Sequence, residues 1–392
     1  MSDSTRTAPL PSPPSYRPVG HAAYWRNLDW VLLIAALGAS IMGAMLVWSA
    51  SRADLASADD PQSFVKKHLI NIAIGIGLGY IASRLGYRWL RAYAPVLYGI
   101  AIFGLLLVFP FGKGIAGAKA WIALPGGFTI QPSEFAKIAI ILMMAVILAE
   151  KHDANDAPRD KDVLLSLALA AVPMAIILLQ NDTGTVLVIG SVTVAIIAVS
   201  GAKRRWIIGI LSTAAIGLLV AIQFGILQSY QVQRLTSFLD PSSREGAAAF
   251  NANQARIAIG GGGWTGYGLF NGPQTQGKFV PVNESDFVFT VAGEEFGFIG
   301  AMVVIVLLAV IIWRGIRIAM LADDLYGRLL ATGVVAWIAF QMFENVGMNL
   351  GIMPITGVPL PLISSGGTSM MAIWIAVGLL ENVRMHAVGS KD

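Results

Sequence analysis

Ten stretches of this chain are apolar and long, and few folds can accommodate them. They fall at 30–50, 66–83, 92–110, 133–150, 163–180, 185–202, 206–224, 287–312, 328–350 and 368–384. Crossing a bilayer takes roughly 20 mostly apolar residues as a helix. In hydrocarbon each backbone N–H and C=O must find its partner within the protein, which a helix provides for itself. The expected fold is therefore all-α: a polytopic membrane protein with about ten transmembrane helices. Composition agrees, since 56% of the 392 residues are hydrophobic and only 13% are charged, against about 25% charged in soluble domains. A net charge of +4 argues against a nucleic-acid partner, and the lack of cysteine excludes disulfides, thiolate metal sites and a cysteine nucleophile. The four histidines lie far apart, so a histidine-rich metal site is not expected.

Lys and Arg set the orientation, because cytoplasmic loops collect them. With the N-terminus inside, 17 of the 27 fall on the cytoplasmic side and nine outside, with Lys137 inside a helix. Both termini are then cytoplasmic in a multi-pass protein. Residues 1–29, rich in Pro and Ser, read as a disordered tail, and 385–392 as a short C-terminal tail. Between them, 30–384 forms the membrane domain. One connection stands out: 225–285, between helices seven and eight, on the outer side. Its aromatics, including Trp264, Tyr267, Phe270 and Phe279, indicate an ordered loop packed on the helices.

Ionisable residues at membrane depth are costly, so each is a functional candidate. Glu134 and Lys137 lie three apart at the start of the fourth helix, where they can pair. They form either a structural pair or a tuned acid beneath an outward cavity. Asp286 enters the eighth helix, as an N-cap or as a general base at the cavity mouth. Glu294 and Glu295 lie two turns deeper and suit hydrogen bonds across helices. Asp182 fits capping of the sixth helix. Gln341, Glu344, Asn345 and Asn349 form a polar stripe, either helix glue or the lining of a hydrated pocket. The run from Gly260 to Gly268 lacks the Gly-Lys-Ser/Thr ending of a P-loop and reads as tight turns. Arg234, Arg256 and Lys278 around it either reach lipid headgroups or offset charge on a departing pyrophosphate.

QPSEFAKI (131–138), YQVQRLTSFLDP in the long loop, QARIAIGGGGWTGYG from Gln254, ESDFVFTVAGEEFG from Glu284 and GIMPITGVPLPLISSGG (351–367) together resemble the SEDS family over nearly all of the chain after residue 29. Gly-Val-Pro-Leu-Pro and Gly-Pro-Gln-Thr-Gln are more similar to its elongation members than to its division members. The resemblance implies a peptidoglycan glycosyltransferase that polymerises lipid II outside the bacterial cytoplasmic membrane. It implies catalytic roles for Asp286, Glu134 and Lys137, and substrate-binding roles for Arg234, Lys278, Arg256 and Gln254. It further implies a class B penicillin-binding protein as partner, lipid II and a polyprenyl pyrophosphate-linked glycan as substrates, contact with membrane lipids, and no organic cofactor. A divalent cation, Mg or Mn, is the candidate metal. Asn181, Thr183, Ser365 and Asn283-Glu284-Ser285 depart from the family pattern, the last three beside Asp286. A lipid II flippase and a non-catalytic scaffold of the elongation machinery are the rivals. The candidate residues concentrate at the outer mouth rather than along a path through the membrane, which favours an enzyme.

Overall fold

The computed structural model describes residues 25–55, 62–115, 118–150, 157–225, 232, 234, 247–280 and 282–389. Helices α1 (Trp30–Leu55), α2 (Ser63–Arg84) and α3 (Tyr87–Phe111) lead into strands β1 (Gly112–Ile115), β2 (Ala118–Ala123) and β3 (Thr129–Ile130). Then come α4 (Pro132–Leu148), α5 (Asp160–Leu179), α6 (Thr183–Val199) and α7 (Arg204–Gln223). The long connection contributes α8 (Ala247–Gly261) and the single turn α9 (Pro273–Gln276). The chain ends with α10 (Val288–Glu295), α11 (Gly297–Leu321), α12 (Leu325–Leu350) and α13 (Gly367–Gly389). Seven of these, α1, α2, α3, α5, α7, α11 and α12, are long and apolar enough to cross a membrane. The remaining three expected spans are α4, α6 and α13.

Local chemistry sets the helix ends. Pro132 opens α4, where its missing N–H costs nothing. Asp182 caps α6, its carboxylate accepting from Thr185 N at 3.0 Å. Asp324 does the same for α12 through Gly327 N at 2.9 Å. At its other end α12 stops at Gly351, whose left-handed φ of 77° suits glycine.

The structure corrects the eighth span. The sequence is apolar without interruption over 287–312, yet the helix breaks at Phe296–Gly297 into α10 and α11. The turns after α8 satisfy the groups freed by the break. Tyr267 N and Gly268 N donate to the carbonyls of Glu294 (3.1 Å) and Glu295 (2.9 Å). Phe298 N and Ile299 N donate to Gly263 and Trp264 oxygens at 2.8 and 3.2 Å. Gly297 has φ +66°, and a Cβ there would lie 2.4 Å from Gly266 N. The glycine run is thus a set of turns, as expected, with the added task of splicing a broken helix.

Three further differences follow. The β1-β2-β3 antiparallel sheet between α3 and α4 has no counterpart in the expected layout; its strands are too short and glycine-rich to show a period. It is tied to the bundle by Lys119 N donating to Gln180 O (3.0 Å) and Lys119 Nζ to Phe109 O (2.8 Å). The last residues assigned to the N-terminal tail are ordered: Asp29 is buried, its N–H donating to both Glu381 oxygens at 3.1 Å and its carboxylate held by Arg314 and Arg384. Residues 1–24 of that tail, and 226–231 and 235–246 of the long loop, lie outside the described residues. Finally, α2 and α13 approach through small residues, since a Cβ on Gly378 would fall 2.0 Å from Gly79 O.

Candidate active site

The segment preceding each of α4, α6, α10 and α13 and the end of α12 meet at one end of the bundle. Gln131, just before α4, donates its side chain to Asp182 Oδ2 at 3.0 Å and its backbone N–H to Thr368 Oγ1 at 3.1 Å. At the end of α12, Asn345 Nδ2 and Asn349 Nδ2 both donate to the backbone carbonyl of Asp286, at 2.8 and 3.1 Å. Thr290 Oγ1 donates in turn to Asn349 Oδ1 at 2.5 Å. The two asparagines of the polar stripe therefore fix the peptide that carries Asp286. Glu344, one turn back, accepts from Thr356 at 2.9 Å.

Asp286 itself is half-buried and does not cap a helix; Phe287 occupies that position, without a side-chain cap bond. Its Oδ1 accepts from the Ser285 hydroxyl at 3.0 Å. Its Oδ2 lies 3.3 Å from where Gly357 would carry a Cβ, so glycine leaves that oxygen open. Burial pushes its carboxyl above the usual carboxylate range; the Ser285 bond and Arg234 pull it down, and Asp182 pushes it up. A carboxylate whose proton affinity is raised in this way is the better suited to proton abstraction.

Glu134 and Lys137 form a second feature. Lys137 Nζ meets Glu134 Oε1 at 2.7 Å, and both side chains are 1–2% exposed. The ammonium also sits 4.6 Å from the centre of the Trp337 ring. Glu134 Oε2 has no hydrogen-bond partner. The pair lies one turn inward from Gln131, whose carbonyl accepts from Glu134 N at 3.1 Å.

The loop candidates divide. Arg234 acts on Asp286 electrostatically. Arg256 packs against Gly351 at the end of α12 and donates to Asn253 at 2.5 Å, and Gln254, two residues before it on α8, is half-buried. Lys278 is exposed, with a positive φ of 57°. Glu294 and Glu295 make cross-element bonds: Glu294 accepts from Gln274 N (2.6 Å), Thr275 N (2.9 Å) and Thr275 Oγ1 (2.5 Å), and Glu295 from Ser49 (2.5 Å). Sequence reasoning missed Gln131 as a link and Ser364, whose hydroxyl donates to Ser285 O at 2.6 Å; both sit inside stretches the motifs single out.

No three or more acidic or histidine side chains converge among the described residues, and Asp286 and Asp182 are the two carboxylates that act on each other here.

A buried ion pair, a half-buried carboxylate and a cationic loop at one end of a helical bundle define a class: a multi-pass membrane protein with a polar site at one face. Residues 29–388 match the family described as cell cycle protein, FtsW/RodA/SpoVE, and the chain belongs to that family. It is 32% identical over 360 residues to the peptidoglycan glycosyltransferase MrdB of Escherichia coli K12, covering 92% of this chain and 94% of that one. It is 34% identical over 372 residues to FtsW of Geobacter metallireducens, named a probable peptidoglycan glycosyltransferase, covering 92% and 96%. Among solved structures, the rod shape determining protein RodA of Thermus thermophilus superposes with a TM-score of 0.67 at 26% identity, covering 92% and 98%. A chain from a peptidoglycan synthase complex that coordinates polymerization and crosslinking gives 0.75 at 28%, with the same coverage.

Proposed function

We propose that this chain polymerises lipid II into glycan strands, with Asp286 as the general base, during cell elongation. The enzyme class, peptidoglycan glycosyltransferase, is the one its curated relatives carry. The observation that carries the reading is the placement of Asp286: its backbone is clamped by Asn345 and Asn349 while its carboxylate is left facing Gly357, within the electrostatic influence of Arg234. In the reaction, the 4-hydroxyl of the incoming lipid II sugar attacks the anomeric carbon of the growing strand. Asp286 accepts the hydroxyl proton as the C–O bond forms, and the polyprenyl pyrophosphate leaves with the bonding electron pair. Arg234 offsets developing negative charge, an effect strongest where water is partly excluded. Glu134 and Lys137 hold the base of the site rigid and tune its charge.

The outer placement of the site follows from the distribution of Lys and Arg, which puts both termini in the cytoplasm. The elongation assignment is supported by the Gly-Val-Pro-Leu-Pro and Gly-Pro-Gln-Thr-Gln segments and by the likeness to a rod shape determining protein. A class B penicillin-binding protein is the proposed partner, supported by the likeness to a chain of a synthase complex that couples polymerization to crosslinking. The test is glycan formation from purified lipid II in detergent, with the purified chain and that partner. Detergent leaves no two-sided membrane, so a flippase or scaffold yields no polymer. Glycan strands are the expected product; lipid II translocation in liposomes with no polymer in either medium would replace the reading by a transporter.

A further inference from the structure

The start of α13 has polar groups with no partner among the described residues. Its first turn is Gly367-Thr368-Ser369, preceded by Gly366. The first N–H groups of a helix need partners from outside it. Met370 N reaches Gly366 O at 2.8 Å, but the N–H groups of Gly367, Thr368 and Ser369 donate to no acceptor among the described residues. Ser365, Gly366 and Gly367 are half-exposed, so the turn is open to a ligand.

Behind the turn stands α2. A Cβ on Gly367 would lie 2.6 Å from Asn71 Nδ2, so glycine is what lets this amide reach the helix start. Asn71 is 6% exposed, and its amide donor Nδ2, rather than its unpartnered acceptor Oδ1, is the atom nearest the turn. His68, one turn earlier on the same buried stripe, is 2% exposed with both ring nitrogens unpartnered. Buried polar atoms normally find hydrogen bonds. Unsatisfied N–H groups at a helix start, together with the helix dipole, favour an anion with several oxygens.

The turn is fastened on one flank to the residues before the candidate base, and on the other, through Gln131, to Asp182. Ser364 Oγ donates to Ser285 O (2.6 Å) and Ser365 N to Glu284 O (3.0 Å), the two residues before Asp286. Thr368 Oγ1 accepts from Gln131 N, and Gln131 holds Asp182. We propose that the start of α13, backed by Asn71 and His68, seats the diphosphate of the polyprenyl-linked substrate. This deepens the glycosyltransferase reading and rests on it for the identity of the ligand. The helix start binds two or three diphosphate oxygens, so the leaving group is gripped beside the base, and Asn71 is a binding residue rather than a proton carrier.

The experiment is calorimetric titration of the full purified chain in detergent with inorganic pyrophosphate, alongside thermal melting. Wild type should bind. Gly366→Asp places a carboxylate where the anion sits; aspartate is a good residue at a helix start, so melting should hold or rise while pyrophosphate affinity falls at least tenfold. Asn71→Asp should also lose affinity, and Asp286→Asn should keep it. No binding to wild type, or equal binding to Gly366→Asp, overturns the proposal. If pyrophosphate binding follows this pattern but wild type makes no glycan, the anion seat stands and the polymerase reading falls. Glycan from wild type with unchanged binding in Gly366→Asp does the reverse.

Discussion

At the scale of single residues, Asp286 carries the account, and its surroundings set a pH dependence. Its carboxyl is held above the usual range by burial, and only the ionised form accepts a proton. Polymerisation should therefore fall as pH falls through that raised value, with an acid limb above the ~3.9 of a free aspartate. Arg234→Gln removes an attraction that lowers the value, so the limb should move to higher pH; Asp182→Asn removes a repulsion and should move it lower. A pH–rate profile of glycan formation checks both signs, and limbs that do not move would detach these groups from Asp286. Asn349→Ala strips a donor from the Asp286 carbonyl and the acceptor from Thr290. An unsatisfied buried polar group costs about 1–3 kcal/mol, so melting should drop measurably and activity with it. Asp182 was readable in advance because an aspartate three residues before Thr185, at the head of an apolar run, is ordinary capping chemistry. Asp286 showed the same pattern one residue too early: the helix opens at Val288, and what frees its side chain is a clamp from Asn345 and Asn349, about 60 residues away in sequence.

Among the elements, α4 and the α10–α11 break make contrasting cases. The pairing of Glu134 with Lys137 follows from their spacing, but their burial against Trp337 does not, since that needs the fold of α12. Removing one partner of a buried pair leaves an uncompensated charge and costs about 3–5 kcal/mol. Lys137→Met should accordingly lower the melting temperature sharply. The exchange Glu134→Lys with Lys137→Glu moves the ammonium away from Trp337 and should abolish polymerisation while membrane insertion persists; an active exchange would reduce the pair to a structural link. The break at Gly297 could not be read from hydropathy, which runs apolar straight through it. Its partners are Gly263, Trp264, Tyr267 and Gly268, some 30 residues upstream. Gly297→Ala meets backbone on the facing turn and forces an unfavourable φ, so the variant should fail to accumulate as folded protein, as gel filtration in detergent would show.

For the whole molecule, ten apolar stretches were enough to fix the class, because a membrane leaves helices almost no alternative. The short sheet and the spliced helix were not readable, because both depend on hydrogen bonds between distant turns rather than on periodicity. Orientation is open to a direct check, since the chain has no cysteine. Cysteines introduced at Ser243 and at Ala202 should respond oppositely to an impermeant thiol reagent on intact cells: labelling at 243 and protection at 202. The reverse pattern would turn the protein over and put the site on the wrong side for lipid II polymerisation. The most direct test of the central claim compares wild type with Asp286→Asn in glycan synthesis from lipid II in detergent, in the presence of the transpeptidase partner. Asparagine keeps the size and the Ser285 contact but accepts no proton at neutral pH. The account predicts a variant that folds and melts like wild type yet loses roughly 10²–10⁴-fold in rate; equal glycan yields from the two proteins would contradict it.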